Sequence, residues 1–93
     1  MKQVTRHVCL VYRAIRNGKS WSTVGDVAKK TTLNPRTIRG IVKDLAEEGI
    51  LEHQPVHGGF RYRINPTMDS DAQLQAGRIH AAEKMFAIPL EAA

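Results

Sequence analysis

The chain has 93 residues and a formal net charge of +5, and its composition is 42% hydrophobic and 25% charged. This length allows one small domain, and the balance of apolar and charged residues excludes a disordered chain. The single cysteine, Cys9, excludes an internal disulfide and a metal site made of cysteines alone.

No apolar run approaches the roughly 20 residues that cross a membrane, and residues 1–5 lack the pattern of a secretory signal. We therefore expect no membrane partner and a cytoplasmic protein. A basic chain of this size most often binds nucleic acid, so we expect it to be nucleoid-associated. The charge is uneven: residues 1–66 hold twelve Lys/Arg against five Asp/Glu, whereas residues 67–93 hold two against four. This predicts a basic domain over 1–66, a linker at 67–70 and a C-terminal helix over 71–87.

Helical periodicity of apolar residues begins at Val4 and predicts a first helix from Val4 to Asn17. Residues 19–22 are too few for a helix, so we expect a brief strand there or a core position for Trp21. The capping-box pattern Thr23-x-x-Asp26 then predicts a second helix over residues 24–31.

The third helix has the clearest signals. Asn34 is a favoured N-cap, and Pro35 suits the first helical position because its missing N–H would have no partner there. An apolar stripe follows at helical spacing, and the Glu47-Glu48-Gly49 segment predicts the end of the helix. The stripe consists of Ile38, Ile41, Val42 and Leu45.

A β-hairpin is predicted next. An apolar run starts at residue 50, the His57-Gly58-Gly59 segment is a turn signal, and residues 60–64 alternate with period two. We expect Phe60, Tyr62 and Ile64 to face the core and Arg61 and Arg63 to face outward. Pro55 requires its strand to be an edge strand or to end at the hairpin tip.

Helix, short strand, helix, turn, helix and hairpin is the order of a winged helix-turn-helix, an α+β fold. Residues 27–39 look like its helix-turn-helix core, residues 44–51 like the Leu-x-Glu-Glu-Gly-Leu run that ends its recognition helix, and residues 58–64 like its wing. Over residues 4–65 the chain resembles the N-terminal domains of IclR-type, and more loosely MarR-type, bacterial regulators.

This resemblance implies that the third helix enters the major groove of DNA and that the wing lies on the adjacent backbone or minor groove. One departure is Thr32, which stands where the family often has glycine. A longer turn, or a left-handed conformation of Asn34, would compensate. The chain has no room for the effector-binding domain of IclR-type proteins, so ligand sensing is not implied.

Basic and polar residues make up the predicted DNA-binding surface. Arginine can donate two parallel hydrogen bonds to guanine, whereas lysine and threonine more often contact phosphate. Gly40 either lets the recognition helix approach the bases or allows tight packing in the core. In the wing we prefer Arg61 to Arg63 because Arg61 lies nearer the tip. The candidate residues are Asn34, Arg36, Thr37, Arg39, Gly40, Lys43, His57, Arg61, Arg63, Lys19, Ser22 and Thr23.

No catalytic residues, cofactor or metal site are predicted. His53 and His57 are four residues apart, but in an extended strand this spacing spans about 13 Å, which one metal ion does not bridge. Cys9 has no identifiable base beside it in the sequence, so we expect a buried structural cysteine rather than a nucleophile.

The C-terminal helix is predicted from the Ser70-x-x-Gln73 capping box and a thin, alanine-rich apolar stripe. The helix either folds back on the body, pairs with a second copy or remains disordered. We favour a homodimer through this helix, which would place two recognition helices on half-sites about one DNA turn apart. The stripe consists of Ala72, Ala76, Ile79, Ala82 and Phe86, with Leu74 and Met85 beside it.

The function that these features predict is sequence-specific binding of double-stranded DNA by a transcriptional regulator, with a small repressor as the form that best suits this size. A replication or partition protein would use the same surface. A winged helix that serves as a protein-interaction module is the alternative from another class, although Arg36, Arg39 and Lys43 speak against it. An enzyme is not expected.

Overall fold

A computed structural model describes residues 3–18 and 20–86, and over these residues the chain is an α+β protein with four helices and one three-stranded antiparallel sheet. No helix of this described part is long and apolar enough to cross a membrane. The elements are α1 (Arg6–Arg16), β1 (Ser22–Thr23), α2 (Val24–Thr31), α3 (Pro35–Glu47), β2 (Leu51–Val56), β3 (Gly59–Ile64) and α4 (Ser70–Met85).

Capping side chains set where the first three helices begin. The Thr5 hydroxyl accepts the Val8 N–H at 3.2 Å, so α1 starts two residues later than the apolar periodicity predicts. Thr23 and Asp26 form the predicted capping box of α2. The side chain of Asn34 accepts the Arg36 N–H at 2.8 Å, which confirms the predicted start of α3 at Pro35.

The predicted glycine stop of α3 is also confirmed. Gly49 has a φ of +79°, in the left-handed region that favours glycine. This conformation lets the Gly49 N–H donate to the Ala46 carbonyl and the Ile50 N–H to the Leu45 carbonyl, which is the hydrogen-bond pattern of a Schellman motif. The carbonyl groups at the helix end are thereby satisfied before the chain enters β2.

The turn between α2 and α3 differs from both expectations. The turn is not lengthened, and Asn34 is extended, with a φ of −65°. Instead Thr32 itself is left-handed, with φ 60° and ψ 15°, and its N–H caps α2 by donating to the Ala28 carbonyl at 2.8 Å. A β-branched residue adopts this conformation at a cost, which the rest of the fold offsets.

We expect Thr32→Gly to raise the free energy of unfolding by about 1 kcal/mol, because glycine adopts the left-handed region without a Cβ penalty. Thr32 is exposed, so the substitution leaves no cavity. Urea denaturation of both proteins measures the difference, with Thr31→Gly, inside α2, as a destabilising control. If the Thr32→Gly protein is less stable than the wild type, Thr32 does not adopt the costly left-handed conformation.

The sheet has the strand order β1-β3-β2, and His57 and Gly58 form a two-residue turn between β2 and β3. β2 is an edge strand, as Pro55 requires. Tyr62 and Ile64 face the core and are partly buried, but Phe60 is 46% exposed, so its predicted core position is wrong. The hairpin extends beyond the helices, and its core-facing side therefore leaves the core towards the tip.

The core lies between the four helices and the base of the hairpin. The stripe predicted for α3 supplies Ile38, Val42 and Leu45, each at most 1% exposed. Helix α4 packs against α1 and belongs to this same core. Other buried apolar residues are Val8, Cys9, Val11, Tyr12, Ala14, Ile15, Val27, Ile50, Leu51, Ala72, Ala76, Ile79 and Ala82.

Contact with α4 explains why a further face of α1 is buried. The Cys9 thiol donates to the Ile79 carbonyl at 3.7 Å, and Arg16 forms a bidentate pair with Glu83. Arg13 lies on the same face of α1, between Cys9 and Arg16 at helical spacing. It is only 5% exposed, and its Nε and Nη2 atoms are buried without a hydrogen-bond partner among residues 3–18 and 20–86.

We expect Arg13→Met to raise the free energy of unfolding by about 1 kcal/mol, because methionine keeps the apolar stem and removes buried donors that have no acceptor. The measurement is the urea midpoint at unchanged slope. Arg6→Met, at an exposed position of the same helix, is the matched control and should change stability by less than about 0.5 kcal/mol. A loss of stability in Arg13→Met would show that the guanidinium is satisfied.

Helix α4 begins at Ser70, but the cap is Asp69, whose side chain accepts the Ala72 N–H at 2.8 Å, so the capping box predicted at Ser70 is wrong. Four residues of the predicted apolar stripe are buried in the core described above. The helix therefore folds back on the body, and this stripe is not available to a second copy. Phe86 is 36% exposed, and the predicted end at Ala87 lies outside the described residues.

Candidate nucleic-acid interface

The outer face of α3 is a cationic surface. Arg36, Arg39 and Lys43 are all exposed, and none of them has an ion pair or side-chain hydrogen bond with another residue of the described part of the chain. Helical spacing puts the three side chains on the side opposite Ile38, Val42 and Leu45, which are buried. Their charges are thus fully available to an anionic partner.

Gly40 lies in the middle of this cationic surface, between Arg36 and Lys43. It is exposed, and a Cβ added to it would have no heavy atom within 4 Å. The alternative that Gly40 allows tight packing in the core is therefore wrong. What the missing side chain leaves open is the space outside the helix, so close approach of an external partner remains the prediction for this residue.

We expect Gly40→Ala to stabilise the protein by about 0.5–1 kcal/mol, because alanine is the better helix former and meets no neighbour here. The same variant should weaken duplex binding about tenfold if the helix approaches the bases at this position. Gly77→Ala in α4 is the matched control, since Gly77 is also helical, exposed and without a neighbour. It should give the same gain in stability with unchanged affinity. If the two variants bind duplex DNA with equal affinity, Gly40 does not lie in the interface.

The two ends of α3 differ in charge. Asp44 and Glu47 follow the basic residues on the exposed side of the helix, and both also line a groove between the C-terminal half of α3 and the start of α1. Carboxylates at this end repel phosphate, so the surface that suits an anion ends at Lys43. Asn34 lies just before this surface, with its side-chain oxygen engaged in capping, and Thr37, within it, is half-buried.

The two arginines of β3 lie on the outer side of the sheet and are held in place. Arg61 donates from Nε to Gln54 Oε1 at 2.6 Å, and Arg63 forms a salt bridge with Glu52 at 2.8 Å. Both guanidinium groups also lie over the ring of Trp21, at 4.7 Å and 4.5 Å from its centroid. Trp21 is thus half-buried beneath the arginines, and its predicted role as a core residue is wrong.

At the hairpin tip, His57 is exposed, as expected for a residue that could contact DNA. The other side of the tip is apolar: the rings of His53 and Phe60 make an edge contact with centroids 5.4 Å apart. No group of three or more histidine, cysteine or acidic side chains suited to a metal ion occurs within the described ranges.

The start of α2 is a poorer candidate than the sequence suggests. Ser22 is 4% exposed, so its predicted place on the DNA-binding surface is wrong; its register partner is Tyr62, and both side chains point towards the core. Thr23 is exposed, but its hydroxyl already accepts the Asp26 N–H at 3.1 Å. Lys19 lies outside the described residues.

Asp26 brings a fixed negative charge to this helix end. Hydrogen bonds from the backbone and side chain of Thr23 lower the pKa of the Asp26 carboxyl below its ordinary value, and Lys29 and Lys30 add to this. The carboxylate is therefore ionised at neutral pH and occupies the helix N-terminus where a phosphate would otherwise bind. Elsewhere in the molecule, Cys9 is buried as predicted, and burial raises the pKa of its thiol.

Gln54 and Glu52 take part in this surface without a recognisable signal in the sequence, and they become interpretable through strand register, which pairs Gln54 with Arg61 and Glu52 with Arg63. The sequence singles out Trp21, but not for its contact with the two arginines. Comparisons with protein-family models, with curated proteins and with solved structures found no match.

Proposed function

We propose that this chain is a winged helix-turn-helix domain that binds double-stranded DNA sequence-specifically as a transcriptional regulator. In this proposal α3 is the recognition helix in the major groove, and the β2–β3 hairpin is the wing on the adjacent backbone or minor groove. The order of helices and strands is compatible with that fold, and α3 packs on the body through its apolar stripe alone.

One observation carries the proposal. Over residues 36–43, α3 exposes two arginines, a lysine and a glycine, and none of the three cations has a partner among the described residues, so this side of the helix is cationic and open next to a bare backbone. Arginine in this setting can read guanine O6 and N7 in the major groove. A protein-interaction module needs no such set of unpaired cations on this helix.

Selection of bound fragments from a random duplex pool tests the function. We expect an enriched site. The logarithm of the association constant for that site should fall linearly with the logarithm of the salt concentration, with a slope near −0.9 per phosphate neutralised. Random duplex of the same length is the control and should bind more weakly. Absence of enrichment together with salt-insensitive binding would contradict the proposal and favour a protein partner.

We further propose a homodimer on DNA, in the cytoplasm, with one recognition helix on each half-site. Because the apolar stripe of α4 is buried against α1, the second copy has to use other surfaces of this helix, where Leu74 is 64% and Met85 is 84% exposed. A palindromic selected site and a dimer mass by light scattering are the expected results. A monomer mass at high concentration with a non-repeated site would contradict the dimer without touching DNA binding.

A further inference from the structure

We infer that Trp21 is a positioning residue for Arg61, and that Arg61 rather than Arg63 is the arginine that the hairpin offers to DNA. This inference rests on the proposed function and assigns residues within it. It comes from the outer side of the sheet, where one aromatic ring, two arginines, a glutamate and a glutamine interact.

The register puts these side chains on one side of the sheet. β2 pairs Gln54 with Arg61 and Glu52 with Arg63, while β1 on the opposite edge of β3 pairs Thr23 with Arg61. Directly opposed residues in neighbouring strands point to the same side. Trp21 immediately precedes β1, and its ring therefore reaches the two guanidinium groups from the edge opposite to Gln54 and Glu52.

The two arginines differ in how their charge is compensated. Glu52 accepts two hydrogen bonds from Arg63, from Nε at 3.1 Å and from Nη2 at 2.8 Å. This carboxylate neutralises Arg63, and DNA would have to displace it. Arg61 is held by a neutral amide instead, through its Nε alone, so its full positive charge and its Nη donors remain for a phosphate or a groove edge.

Trp21 fixes the direction in which the Arg61 guanidinium donors point. A guanidinium stacked on an indole is held by cation–π attraction, while its edge remains free to donate hydrogen bonds. Together with Gln54, the ring fixes an otherwise flexible side chain before binding, which lowers the entropic cost of the contact. Arg63 contacts the same ring and is also paired with Glu52. We therefore assign Arg63 a structural role beside Trp21.

The test uses the full chain, whose single tryptophan is a built-in reporter. In the free protein, Arg61→Ala and Arg63→Ala should each change the fluorescence of Trp21, because each removes a cation from the ring. On the selected duplex, Arg61→Ala should weaken binding about tenfold and reduce the salt slope by about 1. Arg63→Ala removes a charge that Glu52 already compensates, so it should leave the slope unchanged and weaken binding less than Arg61→Ala does.

The positioning role has its own readout. Trp21→Leu should weaken binding about three- to tenfold in the wild-type background and not at all when Arg61 is already alanine. Trp21→Phe keeps a ring and should restore most of the affinity. Urea denaturation confirms that each variant is folded at the assay temperature.

Two results would overturn the assignment while leaving DNA binding in place: Arg63→Ala losing as much affinity as Arg61→Ala, or Trp21→Leu losing affinity equally in both backgrounds. A wild-type protein that binds no duplex at all would instead overturn the proposed function, and this assignment with it.

Discussion

Replacing Arg36 or Arg39 by alanine should weaken binding to the selected duplex by about 1–3 kcal/mol, or roughly 5- to 150-fold. The reason is that a bidentate arginine–guanine contact is lost and no other side chain of the described chain can replace it. Both arginines are exposed and have no partner there, so neither substitution should change the free energy of unfolding by more than about 0.5 kcal/mol. Electrophoretic or fluorescence titration at fixed salt measures the loss.

Binding of the same variants to random duplex shows whether the lost contact was to a base or to a phosphate. A base-reading arginine should lose much less affinity there, whereas a phosphate-contacting one should lose the same on both duplexes. Lys43→Ala should behave in the second way. Arg78→Ala in α4 is the matched control, because Arg78 is exposed and donates to Gln75 at 2.8 Å, and it should bind like the wild type. Unchanged affinity for Arg36→Ala and Arg39→Ala alike would rule out α3 as the recognition helix.

Replacing Glu83 by alanine should lower the free energy of unfolding by about 1–3 kcal/mol. The Glu83 side chain is 4% exposed and accepts from both terminal nitrogens of Arg16, at 3.0 and 3.1 Å, while His80 Nδ1 lies 3.2 Å from the carboxylate. This ion pair links α1 to α4, in addition to the contact between the Cys9 thiol and the Ile79 carbonyl. The Arg16 side chain is 31% exposed and can return to water, so the cost stays below that of a fully buried pair.

In thermal denaturation, Glu83→Ala should lower the melting temperature by about 4–8 °C for each kcal/mol of lost stability in a domain of this size. Amide hydrogens of α4 should exchange faster, because the helix loses a contact that holds it on the body. Glu83→Gln, which retains a hydrogen-bond acceptor without the charge, should lose less stability than Glu83→Ala. Glu47→Ala, at an exposed position of α3, is the control and should change stability by less than about 0.5 kcal/mol. If Arg16→Ala and Glu83→Ala are additive in the double variant, the two residues do not form a working pair.

Local signals in the sequence predicted the helices and the caps of α2 and α3. Asn34-Pro35 marks the start of α3 because the cap needs only a side chain two residues from the N–H that it accepts, and Thr23 and Asp26 satisfy each other across one turn. The cationic surface of α3 follows in the same way from one helical period, since an exposed stripe is the complement of a buried one. These features depend on residues within a few positions of each other.

Contacts across long chain distances could not be predicted in this way. Arg16 and Glu83 are 67 residues apart, and nothing in a basic helix indicates which acidic residue will be buried against it. Arg13 is only 5% exposed, and an arginine in a basic helix carries no local signal of burial. Phe60 follows the period of a core residue, yet the hairpin extends beyond the helices and exposes it.

The sequence by itself determined four helices, a hairpin and a basic helix face, because propensity, capping and hydrophobic periodicity act between near neighbours in the chain. Only the tertiary structure decided that α4 folds back on α1, that Thr32 turns left-handed and that Trp21 meets the arginines of β3. The physical reason is that strand register and helix packing join residues far apart in sequence, and their burial, pairing and strain depend on what the rest of the fold places against them.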